Sequence, residues 1–415
     1  ENRAILKIKE SLMKSHRYIV LLAAAGVFLS ACGSSRYHDP ELTAAFAMEN
    51  TREEETSGQG ESPSAPAEPL ADPAESPTDP AEPLADPAES PSDPAESPAD
   101  PVTLLFSGDI YLSDHVLNAY DKAGGITGVL DDGFRSVIAQ ADYFAANEEF
   151  PFSSRGTAAP DKQYTFRLPE SRLPIMNEIG VDLVTLANNH SLDFGTDALL
   201  DTCSALDGAG ILHVGAGSNS EEARKPAIVD VGGIRVGFIG ASRVIPVASW
   251  TAGASSPGLL TAYDPTLLLQ TIEETRPLCD YLVVLIHWGV EREEMPVDHQ
   301  TSLGRQCIDA GADLVVGSHP HVLQGIEYYN GKPIVYSLGN FIFGSSIPRT
   351  ALLEVSLDQN GSDPELSLIP GTSSAGYTRM LTDSGDREEF YQYIESISFD
   401  ISIGDDGVLS PSDQQ

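Results

Sequence analysis

Residues Gly311 to Phe343 read GADLVVGSHPHVLQGIEYYNGKPIVYSLGNFIF. A short apolar run, Leu314 to Val316, ends in Gly-Ser-His-Pro-His, the pattern of a buried strand that delivers polar side chains at its carboxyl end. Residues i and i+2 share a face of extended chain, so His319 and His321 are expected to converge on one point. Pro320 is expected to hold His319 extended. Two imidazoles so placed form a candidate metal-ligand pair if other strand ends supply partners.

Four further segments repeat this grammar. Val102 to Phe106 precedes Ser107-Gly108-Asp109, and Ala141 to Ala146 precedes Asn147-Glu148-Glu149. Val181 to Ala187 precedes Asn188-Asn189-His190, with Asp193 and Gly195 following, and Tyr281 to Ile286 precedes His287-Trp288-Gly289-Val290-Glu291. In open α/β sheets, ligands collect outside the carboxyl ends of the strands. Carboxylates, amides and imidazoles from five such ends have the composition of a two-metal hydrolytic site.

Strands are expected at 102–106, 142–146, 181–187, 211–214, 227–231, 234–240, 281–287, 313–317 and 333–337. Helices are expected at 133–140, 171–179, 196–209, 265–276 and 298–310. Their alternation indicates an α/β domain. Gly232-Gly233 joins two of the strands as a tight hairpin, so the sheet is mixed. After Phe343 the pattern weakens. Phe390 to Ile403 alternates like a strand, and the last dozen residues read as a loose end.

The amino-terminal 32 residues read as a targeting segment: Lys7, Lys9, Lys14 and Arg17 precede an apolar run, Tyr18 to Leu29, too short for an ordinary spanning helix. The run ends in Leu-Ser-Ala-Cys, which resembles a bacterial lipobox and implies lipidation of Cys32. The alternative is a short membrane anchor. Either reading places the rest of the chain on the extracellular face of the cell membrane, tethered to it. Residues 33–101 carry DPAE at Asp72, Asp79, Asp86 and Asp93, a proline-rich acidic linker without a foldable core. It serves either as a spacer or for solubility alone.

Of the net charge of −38, residues 1–32 carry +3, residues 33–101 carry −15 and the remainder −26. So acidic a domain argues against nucleic acid, which needs phosphate neutralisation, and leaves an anionic substrate dependent on local cations or metal ions. Besides Cys32, the cysteines are Cys203, Cys279 and Cys307. Their spacing fits neither a zinc ribbon nor a disulfide framework.

In order and spacing, SGD at 107–109, N-x-E at 147–149, NNHSLDFG at 188–195, HWGVE at 287–291, GSHPH at 317–321 and YSLGNF at 336–341 resemble the CapA family of poly-γ-glutamate capsule biosynthesis proteins. The resemblance covers roughly 102–345, with 346–415 an extension packed on that domain. It implies a calcineurin-like metallophosphoesterase fold, a four-layer α/β/β/α sandwich with two mixed sheets. It implies Asp109, Glu149, Asn189, His287, His319 and His321 as ligands of one or two divalent transition-metal ions (Mn, Fe or Zn). His190 would act on the leaving oxygen, oriented by Asp193. Two departures from the wider superfamily stand out: Tyr111 where Asp-x-His is usual, and Glu149 where a second Asp is usual.

Lys162 and Arg167, in a basic run from Arg155 to Arg172, are candidates for holding an anionic substrate, and Trp288 for a cleft wall that stacks on it. The implied function is synthesis, export or anchoring of a poly-γ-glutamate capsule, with membrane capsule-synthesis proteins as partners. A non-catalytic polymer-binding scaffold and a phosphoesterase unrelated to capsule are the alternatives.

Overall fold

The computed structural model describes residues 101–358, 361 and 364–412. The expected targeting segment with Cys32 and the expected linker up to residue 100 lie outside the described residues. The strands are β1 (Val102–Ile110), β2 (Tyr143–Glu148), β3 (Leu183–Thr185), β4 (Leu212–Val214), β5 (Ala216–Gly217), β6 (Ala227–Val231), β7 (Ile234–Ser242), β8 (Gly258–Leu259), β9 (Tyr281–His287), β10 (Leu314–Ser318), β11 (Ile326–Tyr329), β12 (Lys332–Val335), β13 (Asn340–Ile342), β14 (Ser346–Leu357), β15 (Glu365–Ser374), β16 (Tyr377–Met380), β17 (Ile401–Ile403) and β18 (Leu409–Pro411). The helices are α1 (Asp114–Ala123), α2 (Asp132–Gln140), α3 (Pro174–Ile179), α4 (Thr196–Ala209), α5 (Ser220–Ala223), α6 (Thr266–Thr275), α7 (Asp298–Asp309) and α8 (Ser384–Ser396).

One sheet runs β16-β15-β14-β1-β2-β3-β4, with β13 also paired to β1; the other runs β11-β12-β10-β9-β7-β6. Strands β1 to β4 are mutually parallel, as are β7, β9, β10 and β12, while β14 joins β1 and β6 joins β7 antiparallel. Alternation sorts each strand's residues by face. Leu104, Phe106, Phe238, Val283, Leu285 and Val316 fill the space between the sheets. Leu105, Phe144, Val184, Leu199 and Phe134 pack the first sheet against α2 and α4. Val284, Ile286, Leu268 and Leu303 pack the second against α6 and α7. The result is the expected α/β/β/α sandwich.

The hairpin forms as expected: Val231 pairs with Ile234, and Gly232 and Gly233 take φ of 60° and 93°, the positive values a two-residue turn of this hand requires. Helix α1 was not anticipated. The reading of Phe390 to Ile403 as a strand is corrected. Asp383 caps α8 through Gly385 N and Asp386 N, and Phe390, Tyr391 and Ile394, at helical spacing, pack into the space between the sheets. Of that stretch only Ile401–Ile403 forms a strand, paired with β18, while Phe399 makes a single bridge to Glu327, so residues up to 411 are not a loose end.

The boundary at 345 does not divide the architecture. Strand β14 lies beside β1 in the middle of the first sheet, from Val102 opposite Leu357 to Phe106 opposite Leu353. The segment after 345 is therefore part of the sandwich.

Candidate metal centre

Each site residue sits at or just beyond the carboxyl end of a strand. The route to Asp109 is the least obvious. The parity of β1 would turn it away from the space between the sheets, but the register with β2 shifts between Phe106 and Asp109. Such a bulge re-aims the side chain. Consistent with the flip, Leu105 and Ile110 pack on the same, helix-covered side. The bulge brings β1 against another backbone: Asp109 N donates to Gly339 O at 2.8 Å, and a Cβ on Gly108 would stand 1.8 Å from that oxygen. Only glycine fits there.

The six expected ligands converge. His287 Nε2 lies 2.8 Å from Asn189 Oδ1 and 3.6 Å from Glu149 Oε1. His321 Nε2 lies 3.9 Å from Glu149 Oε1, and His321 Nδ1 lies 3.2 Å from Asp109 Oδ2. One ligand atom from each of Glu149, His319 and His321 falls within 4.8 Å of the others, and the rings of His287 and His319 are 4.7 Å apart.

The two histidines of Gly-Ser-His-Pro-His meet the site, but not by the expected route. His319 and His321 have φ of 97° and 57°, so neither is extended, and Pro320 does not hold His319 in the β region. Positive φ at a non-glycine residue costs roughly 1–3 kcal/mol and persists where the surroundings over-determine it.

Four acceptor or donor atoms in this cluster are buried without a hydrogen-bond partner: Asp109 Oδ2, both oxygens of Glu149, and His319 Nδ1. Buried polar atoms are rarely left this way. Their convergence fits a divalent cation. Burial holds His287 and His319 well below the ordinary imidazole value, with neighbouring imidazoles adding to the effect, which favours the neutral form that binds metal. Burial opposes charge on His321 too, but the carboxylates of Glu149 and Asp109 outweigh it and raise the ring to about 10. Burial and the Asp109 carboxylate push Glu149 up.

His190 points Nε2 towards Glu149 Oε1 at 4.0 Å, while its Nδ1 lies 2.7 Å from Asp193 Oδ2. A carboxylate at that distance requires Nδ1 to carry the hydrogen. Burial lowers the ring to about 4 against the pull of Asp193. Asp193 thus stands where it was expected, orienting His190.

The substrate-binding expectations fare differently. Lys162 does not face solvent: its ammonium, on a 6% exposed side chain, bonds to Asp193 Oδ1 and Asn189 O and lies 3.0 Å from His190 Nδ1. It braces the site from behind. Arg167 is exposed over the Phe194 ring at 3.9 Å. Trp288 lines no cleft. It is fully buried on the helix side of the second sheet, stacked on Tyr336, with Nε1 donating to Tyr336 O at 2.8 Å. Strand parity explains this, because Trp288 follows His287 and must face the opposite way.

Several residues that support the ligands were not singled out. Asn147 Nδ2 donates to Asp109 Oδ1 at 2.8 Å, Ser318 Oγ lies 3.0 Å from His287 Nδ1, and Asn340 Oδ1 lies 2.9 Å from His321 Nδ1. All three stand inside the motifs that were read, so their polar character at strand ends was the available signal. Tyr111 is a stacking residue: its ring lies 4.0 Å from Phe166, which lies 4.1 Å from His190. No spacing rule links those three. Glu148 is buried, with neither oxygen partnered, so the pairing expected of a buried carboxylate is absent and burial pushes its carboxyl well up.

Two mixed sheets in an α/β/β/α sandwich, with polar residues at the carboxyl ends of their strands, have the calcineurin-like metallophosphoesterase fold. The profile of a family described as bacterial capsule synthesis protein PGA_cap matches residues 103–345. The capsule biosynthesis protein CapA of Bacillus anthracis is 32% identical over 305 residues, 71% of this chain and 72% of that one. The PGA biosynthesis protein CapA of Bacillus subtilis is 33% identical over 62% of this chain and 68% of its own. The solved sulfate thiohydrolase SoxB of Thermus thermophilus shows 15% identity and a TM-score of 0.37, covering 72% of this chain and 61% of that one. The chain belongs to the PGA_cap family of bacterial capsule synthesis proteins.

Proposed function

We propose that this protein acts in poly-γ-glutamate capsule biosynthesis, export or anchoring as a metal-dependent hydrolase or transferase, held at the extracellular face of the cell membrane by lipid on Cys32. The observation that carries the catalytic part is the set of buried atoms on Asp109, Glu149 and His319 that make no hydrogen bond, with one ligand atom each of Glu149, His319 and His321 within 4.8 Å of the others. The capsule part is supported by the CapA relatives, and the anchor by the Leu-Ser-Ala-Cys that ends the apolar run.

One or two divalent transition-metal ions, Mn, Fe or Zn by the mixture of imidazole and oxygen donors, would supply Lewis-acid polarisation and an activated water. Asp109, Glu149, Asn189, His287, His319 and His321 would hold them. Asn147, Ser318 and Asn340 fix the donors by hydrogen bonds, which such outer partners do in metal sites generally. His190 holds or moves a proton at Nε2, the nitrogen that faces the cluster, because Asp193 occupies the other. Lys162 and Asp193 bury a charge pair behind that ring and keep bulk water from it.

The test is metal analysis of the protein purified without chelator, together with turnover of bis(p-nitrophenyl) phosphate and of a γ-linked glutamate polymer. Bound transition metal, and turnover lost in His190→Ala, support the reading. Protein without metal, or with metal and full turnover in that variant, would contradict it.

A further inference from the structure

For His190 Nε2 to face the metal centre, the imidazole must be held in one plane. The hydrogen bond to Asp193 fixes a point on the ring and leaves it free to turn about that point. A column of rings sets the plane. Phe166 stacks on His190 with centroids 4.1 Å apart and planes 16° apart, and Tyr111 stacks on Phe166 at 4.0 Å and 17°. Two rings so close and so nearly parallel to Phe166 must lie on its opposite faces. Tyr111 is itself held by the edge of Phe343 at 5.4 Å and lies 5.9 Å from the buried ring of Phe150. Aromatic pairs at such separations attract beyond the burial of their area.

Phe166 also touches the carboxylate that orients His190. Its backbone N–H donates to Asp193 Oδ2 at 2.6 Å, the same oxygen that lies 2.7 Å from His190 Nδ1. The loop that delivers Phe166 is closed at its neck: Ser153 N donates to Leu168 O at 2.9 Å, and Leu168 N to Pro151 O at 3.0 Å. Between those bonds the loop lies on the segment that carries His190. Ala159 N donates to Asp193 O at 2.7 Å, and the Lys162 ammonium bonds to Asp193 Oδ1 and Asn189 O. Gly156, at φ of 84°, comes so near Phe194 that a Cβ would stand 1.8 Å from its carbonyl oxygen. A loop whose ends meet and whose body is packed places its side chains without help from a helix or strand.

We propose that Phe166 is a positioning residue: its ring fixes the plane of His190 and, through it, the direction of Nε2 towards the metal centre. This role rests on the proposed metal-dependent reading. Leucine in its place would fill most of the gap but offer no flat face, so the imidazole would turn about its bond to Asp193. Tyrosine would keep the flat face.

The test compares wild type, Phe166→Leu and Phe166→Tyr, each the full chain purified without chelator, by two readings. One is steady-state turnover of bis(p-nitrophenyl) phosphate, and the other is the orientation of the His190 ring in crystals. We expect Phe166→Leu to lower kcat about tenfold or more with KM and metal content unchanged, because a slight misplacement of a reacting group is costly. Its His190 ring should be rotated or split between two orientations. Phe166→Tyr should keep the wild-type plane and recover most of kcat. A smaller loss in Phe166→Leu overturns the proposal, as does a loss carried by KM or by missing metal, an equal loss in Phe166→Tyr, or an unmoved His190 ring. If wild type holds no metal or turns over nothing, the metal-dependent reading fails, and the His190 ring in Phe166→Leu alone decides whether Phe166 sets its plane. If Phe166→Leu does not fold, Phe166→Met is judged by the same readings.

Discussion

His287 Nε2 and Asn189 Oδ1 lie 2.8 Å apart although the residues are 98 positions apart in the chain. One belongs to the second sheet and the other follows the first, so this contact ties the two halves of the sandwich at the metal centre. The donors divide into two groups that share Glu149. Asn189, His287 and His319 gather on one side, and Asp109 and His321, 3.2 Å apart, on the other. The second group has the fewer donors.

The two groups should therefore hold ions unequally. Dialysis is expected to strip an ion from the Asp109–His321 side first, and Asp109→Asn to lose that ion alone. His319→Ala combined with His321→Ala should remove all bound metal. Elemental analysis of each dialysed protein checks this; equal retention by Asp109→Asn and wild type would count against it.

Asp193 stabilises more than His190. Among the described residues it is the only carboxylate bonded to the buried Lys162 ammonium, and removing one partner of a buried pair costs roughly 3–5 kcal/mol. Asp193→Ala should lower the unfolding free energy measured in urea by that amount, and Asp193→Ala with Lys162→Met should recover much of it. A single variant as stable as wild type would refute the argument.

Glu148 lies behind the site, on the helix side of β2, with neither oxygen partnered. Glu148→Leu fills nearly the same volume without a polar group. It should stabilise the protein by about 1–3 kcal/mol, the usual penalty of an unsatisfied buried polar group. Urea unfolding decides the sign, and a lower midpoint would show that the carboxyl has a partner in solution.

His213, on β4, supplies a pH signature away from the metal centre. Burial lowers its proton affinity below the ordinary 6.5, against the opposing pull of Asp207 and Glu222. The unfolded chain therefore takes up this proton more readily than the folded one. Stability that is whole above pH 6.5 is lost as the pH falls from there towards the folded value. His213→Gln should flatten that slope in unfolding curves taken above and below pH 6.5. An unchanged slope would assign it elsewhere.

Much of this protein was legible in one dimension. Apolar runs of strand length ending in Asp, Glu, Asn or His marked the carboxyl ends of β1, β2, β3, β9 and β10, because strand burial and strand-end chemistry are both local in sequence. The same locality allowed α4 and the β6–β7 hairpin to be placed. It failed for Phe390 to Ile403, where a capped helix and a short strand together mimic alternation, and for the segment after 345. What places β14 beside β1 is pairing between strands some 250 residues apart, which no window of sequence contains.

The chain alone determined which residue types would gather at the strand ends, since a metal centre needs donors that apolar strands cannot otherwise explain. Only the folded protein decided how they arrive: a bulge turns Asp109 inward, and left-handed backbone at His319 and His321 replaces extended chain. It also decided that Trp288 faces the core and that Lys162 braces His190. Side-chain direction depends on register, parity and long-range packing, and these exist only once the two sheets have closed on each other.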